Sequence, residues 1–170
     1  MRARLQAWDT RLSLACQRPV ARSRAWHRLA WLLAHSGDSW VVLPGLLLLA
    51  WTWPPGRSHA LPAAAGVLVL AAVVLGLKFL IRRPRPQSPW GAIYRKTDPH
   101  AFPSGHAARA ALLAVLAALW LPPLPAAGVG LWALGVSWAR LALGLHYPTD
   151  VLAGWMLGAG LAALVARAAT

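Results

Sequence analysis

The sequence predicts an all-α integral membrane bundle: about five transmembrane helices preceded by N-terminal amphipathic helices lying in the interface. Three observations predict it. The 170 residues are 58% hydrophobic and only 12% charged, with a mean hydropathy of +0.51. A soluble domain of that length needs more polar surface. Several apolar runs approach the roughly 20 residues that cross a bilayer core. The 17 Lys and Arg, against four Asp and no Glu, are interleaved with those runs. Such a basic excess points to anionic headgroups or phosphate-bearing substrates and away from nucleic acid.

In chain order, Leu5, Trp8, Leu12 and Ala15 recur at helical spacing among Arg4 and Arg11. Trp26, Leu29, Ala30 and Leu33 repeat the pattern beside Arg24 and Arg28. Both read as interfacial helices, separated at Arg18-Pro19. No apolar stretch with an A-x-A-like cleavage site is clear, so this arm is expected to be retained. His35-Ser36-Gly37-Asp38 reads as a turn. Apolar segments follow at about 39–53, 61–80, 104–121, 126–145 and 149–168. Pro54-Pro55-Gly56 ends the first and Pro122-Pro123 the third. The eleven Trp suit anchoring at the membrane–water boundary. The expected organisation is one domain over 1–170, with 1–36 interfacial and 37–170 the spanning core. Cys16 is alone, which excludes an internal disulfide framework.

Three polar islands interrupt this pattern: Lys78-x6-Arg85-Pro86, Pro103-Ser104-Gly105-His106, and Arg140-x5-His146-x3-Asp150. With five spans, the parity puts all three on one side. Arg forks grip phosphate oxygens in pairs and Lys adds a point charge. Pro84 and Pro86 should end the second span, so that Arg85 folds back toward Lys78. Ser104 suits an N-cap, and Gly105 lets a ligand approach the backbone near a helix N-terminus, where anions are favoured. Pro148 suits the first turn of the last helix, which places Asp150 inside that turn with His146 just ahead. Asp150 could accept the Nδ1 proton of His146 and leave Nε2 as a nucleophile. Two ligands without a carboxylate cluster make a weak metal site.

Together the islands resemble the signature of the type 2 phosphatidic acid phosphatase (PAP2) superfamily of lipid phosphatases, related to vanadium haloperoxidases. The match covers residues 78–150, and Ser36-Gly37-Asp38-Ser39-Trp40 resembles a segment ahead of the first span in small bacterial members. Ala139 departs from the Ser that usually precedes the family's third-motif Arg. The resemblance implies that His146 attacks phosphorus and Asp150 orients it. His106 protonates the leaving group and then activates water. Lys78, Arg85, Arg140, Ser104 and the Gly105 amide hold the phosphate oxygens. It implies no metal and no other cofactor. Arg82, Arg83, Arg95, Lys96 and His100 are candidate headgroup contacts.

The function expected is hydrolysis of a lipid phosphate monoester or pyrophosphate: phosphatidic acid, phosphatidylglycerophosphate, a polyprenyl (pyro)phosphate, or a lipid A phosphate. Transfer of the same phosphohistidine to an acceptor lipid, or a relic lipid-binding protein, are the alternatives. The partners expected are the bilayer and its lipid phosphate, and the location a bacterial inner membrane. Seven N-terminal arginines on the side of the islands favour the cytoplasmic face by the positive-inside rule, whereas many bacterial relatives act on the outer face. The sequence leaves that side, the lipid and the oligomeric state open.

Overall fold

The computed structural model describes residues 2–88 and 98–169. Its regular elements are all helical: α1 (Arg2–Arg22), α2 (Arg24–Ser36), α3 (Ser39–Thr52), α4 (Arg57–Ile81), α5 (Gly105–Trp120), α6 (Pro123–Ala142) and α7 (Pro148–Ala168). A short 3₁₀ turn, Pro54–Gly56, joins α3 to α4. The last five α-helices match the five apolar segments of the sequence to within a few residues. Two stretches, Pro54–Ile81 and Pro148–Ala168, are long and apolar enough to cross a membrane. The pair α2 and α3, bent by 58° at Gly37-Asp38, reaches that standard jointly.

Helix α5 lies at the centre and packs most extensively on α7 and α6. Most of its buried residues between Ala107 and Ala117 are alanine, so the neighbouring backbones come close. Gly154 and Gly158 complete this approach from α7. A Cβ on Gly158 would lie 2.0 Å from the Ala108 carbonyl oxygen, and one on Gly154 2.6 Å from the Ser104 oxygen. Val67, Leu70 and Val74 of α4 pack on Leu112 and Leu116 on the other side. Many large apolar side chains point outward, among them Trp51, Leu80, Leu124, Leu131 and Met156, each at least 70% exposed. That outer surface suits hydrocarbon rather than water.

The arm differs from the sequence expectation. Helix α1 runs through Pro19, and the break falls at Ser23, whose hydroxyl caps α2 at Trp26. Pro19 gives up the bond that an N–H there would donate to the Ala15 carbonyl, and α1 ends three residues later. The polar side of α1 faces the protein: Asp9 and Ser13 are buried, while Trp8 and Leu12 point out. Helix α2 lies along α6, with Ala30 and Ala34 against Ala139 and Ala142.

Candidate active site

Helices α4, α5, α6 and α7 bring the three islands together at one end of the bundle. Helix α4 stops at Ile81 because Arg82 adopts a left-handed conformation (φ 50°), two residues ahead of Pro84. The chain then doubles back and Arg85 reaches the end of α4. Arg85 Nη2 donates to Asp98 Oδ2 at 2.8 Å, and Lys78 Nζ donates to the same carboxylate. Lys78 also donates to the His100 carbonyl at 3.1 Å, and Arg85 Nε to the Asp98 carbonyl at 2.7 Å.

His146 sits in the turn between α6 and α7 with 1% exposure. The turn closes on the Arg140 carbonyl, which accepts from Leu145 N at 3.0 Å and His146 N at 3.3 Å. Gly144 makes this possible: its φ of +62° suits glycine, and a Cβ there would meet Ser88 and Gln17 at under 3 Å. Arg85 Nη1 lies 3.1 Å from His146 Nε2. Burial, then the charges of Arg85, Arg140 and Lys78, push the His146 pKa well below the usual imidazole value.

The expected His146–Asp150 bond is not formed. His146 Nδ1 donates to the Ala101 carbonyl at 2.7 Å, and Asp150 Oδ2 is 3.8 Å away. The carbonyl is nearer, and it fixes the same tautomer with Nε2 unprotonated. Asp150 is occupied elsewhere: Oδ2 accepts from Tyr147 N at 2.8 Å and Oδ1 from Arg83 Nη1 at 2.6 Å. Ser104 occupies the N-cap position of α5, but its side chain makes no capping bond. Its Oγ is buried without a hydrogen-bond partner among the described residues. The Ser104 amide donates to the Asp150 carbonyl at 3.0 Å, tying α5 to α7.

A cavity of about 230 Å³ opens between α4 and α5. Lys78, Asp98, His100, Gly105, His106, Arg109 and His146 form its polar wall, and Leu70, Val74, Leu75 and Phe79 its apolar one. Arg85, Arg140 and Ser104 do not line it. All three are buried, at 6%, 1% and 0% exposure.

The headgroup candidates divide. His100 lines the cavity. Arg82 is exposed and bonds the Phe79 carbonyl at 2.8 Å. Arg83 turns inward. Its guanidinium bonds Asp9, Asp150 and Thr149 and lies 4.3 Å from the centre of the Tyr147 ring, because two carboxylates flank it on the inner side. Arg95 and Lys96 lie outside the described residues.

Four functional neighbours escaped the sequence reading as site residues. Asp9 accepts from Thr149 N at 3.0 Å and from Arg83 at 2.7 Å, so α1 braces the start of α7. Asp98 is the counter-ion of Lys78 and Arg85. Asp38 accepts from His106 Nε2 at 2.5 Å, and Arg109 lines the cavity one turn beyond His106. A signal existed: in a chain with only four acidic residues, each was worth a role.

Comparisons with known proteins give the chain's relatives. A sequence model of the PAP2 superfamily matches residues 59–170. Decaprenylphosphoryl-5-phosphoribose phosphatase of Mycobacterium tuberculosis is 39% identical over 139 residues, covering 78% of this chain and 75% of that protein. The crystal structure of LpxE from Aquifex aeolicus superposes with a TM-score of 0.77 at 23% identity, over 94% of this chain and 95% of the other. That of a transmembrane PAP2-type phosphatidylglycerolphosphate phosphatase from Bacillus subtilis gives 0.73 at 25% identity, over 96% and 85%.

Proposed function

This chain belongs to the PAP2 superfamily, and we propose that it hydrolyses a polyprenyl-linked phosphate monoester through a phosphohistidine on His146. It is an integral membrane protein and a lipid phosphate hydrolase. The observation that carries the mechanism is His146, whose Nε2 lies 3.1 Å from Arg85 Nη1 and which shares the cavity wall with Lys78 and His106. The likeness to a decaprenylphosphoryl-5-phosphoribose phosphatase supports the choice of lipid.

In the first step, His146 Nε2 forms a bond to phosphorus as the bond to the leaving oxygen breaks. His106 gives that oxygen its proton. In the second, water attacks the phosphohistidine, its proton goes to His106, and inorganic phosphate and neutral His146 are released. Lys78, Arg85, Arg140, the Ser104 hydroxyl and the Gly105 amide hold the equatorial oxygens, whose charge grows in transfer. The unused Ser104 Oγ supports that role. Asp150 acts through structure: it holds the first turn of α7 and Arg83.

The reading includes five spans, α3 to α7, in one domain in a bacterial inner membrane. The arm of α1 and α2 lies in the interface with its apolar stripe toward lipid. Phosphate release from a panel of lipid phosphates, measured in detergent with and without an acceptor lipid, tests the function. Hydrolysis is expected without acceptor, and His146→Ala is expected to lower it at least about a thousandfold. Activity that survives His146→Ala and His106→Ala in pure protein refutes the mechanism.

A further inference from the structure

The turn between α2 and α3 is built around one carboxylate. Asp38 holds the N-cap position of α3, where an Asp side chain ordinarily bonds the first free amides. It makes no such bond. Oδ2 accepts instead from His35 Nδ1 at 2.8 Å and from Trp40 Nε1 at 3.1 Å, and Oδ1 from His106 Nε2 at 2.5 Å. The turn is fixed on both sides of Asp38 by Arg109, which donates to the Gly37 carbonyl and to Ser39 Oγ. Gly37 leaves little room for drift, since a Cβ there would lie 3.0 Å from Val136 and 3.5 Å from the His106 ring.

We propose that Asp38 is a positioning residue for His106, holding its Nε2–H so that Nδ1 faces the substrate as acid and then base. The inference rests on the reading of His106 given above. An imidazole has two nitrogens, and the bond to Asp38 decides which is left for chemistry. A carboxylate on the far nitrogen also stabilises the imidazolium present before the first proton transfer and after the second. His35 and Trp40 hold Asp38 in turn, and Arg109 holds the turn that carries it. Four residues outside the three islands thus set the orientation of one inside them.

The test compares two substrates bearing the same tail, an alkyl phosphate and a nitrophenyl phosphate. The alkoxide needs a proton to leave and the nitrophenolate does not, and kcat/KM reports the step in which it leaves. Asp38→Asn and Asp38→Ala are expected to lower kcat/KM about ten- to a hundredfold on the alkyl phosphate and at most about threefold on the nitrophenyl phosphate. His106→Ala should show the same selectivity, more strongly. The ratio of the two values cancels the fraction of active protein, so a variant that folds poorly still reports. Equal losses on both substrates with Asp38→Asn, while His106→Ala remains selective, overturn the role of Asp38 alone. Equal losses with His106→Ala overturn the reading of His106, and this inference with it.

Discussion

His146 is held neutral by burial and by three cations, and that has a consequence for stability. Its folded-state pKa lies well below the roughly 6.5 of an unfolded chain. Below about pH 6.5 the unfolded state therefore binds the extra proton and the folded state does not. The stabilisation is complete above about pH 6.5 and is lost as pH falls toward the depressed value. Thermal unfolding in detergent is expected to show this decline between pH 7.5 and 5.5, with His146→Asn flattening part of it. An unchanged decline in the variant would assign it to other groups. Asp98 makes a second prediction at this scale. Its carboxylate holds Lys78 and Arg85, the cations a phosphate would use. Asp98→Asn keeps the shape and removes the competing charge, so orthovanadate should inhibit about three- to tenfold more tightly. Weaker inhibition would show that Asp98 assembles the cation pair rather than competing for it.

Small residues set the geometry between helices. Ser104, Gly105 and His106 ride at the start of α5, and Asp150 in the first turn of α7. Gly154 and Gly158 fix the distance between those helices, since a side chain at either meets backbone. Gly158→Ala is expected to cost about 1–3 kcal/mol, read as a lower unfolding temperature, and to lower phosphatase activity as the two helices separate. Gly160→Ala is the control: nothing lies within 4 Å of its added Cβ. It should be neutral or slightly stabilising in a helix. Helix α1 shows the same logic with polar groups. Its apolar stripe is outermost and its carboxylate innermost, the reverse of a helix on a water-soluble core.

Across the whole molecule, charge is sorted. The net charge is +13, yet all four carboxylate side chains converge on one end, with Asp9 on Arg83, Asp38 on His106, Asp98 on Lys78 and Asp150 on Arg83. Buried cations that grip phosphate need fixed counter-charges when no substrate is present. The five-span arrangement predicts that this end and the arginine-rich arm share a side. With Cys16 replaced by serine, cysteines at Arg11 and Gln87 should label from the same face of sealed vesicles, and one at Ser58 from the other. Labelling of Ser58→Cys and Gln87→Cys from one face would rule out the five-span count.

The islands themselves were legible because the chemistry demands particular side chains, and such groups stand out in apolar sequence. Helix limits were legible for a related reason: Pro54-Pro55-Gly56, Pro122-Pro123 and Pro148 punctuate three of the turns between the apolar helices. Pro19 misled because α1 runs three residues past it, to the break at Ser23. The sequence by itself determined the family, the apolar helices and the three polar islands. Tertiary structure alone decided the partners: Ala101 rather than Asp150 on His146 Nδ1, Asp38 on His106, and Asp9 beneath Arg83. The reason is distance. Those contacts join residues 45 to 74 positions apart, and spacing along a chain reports only neighbours within a helical turn or two.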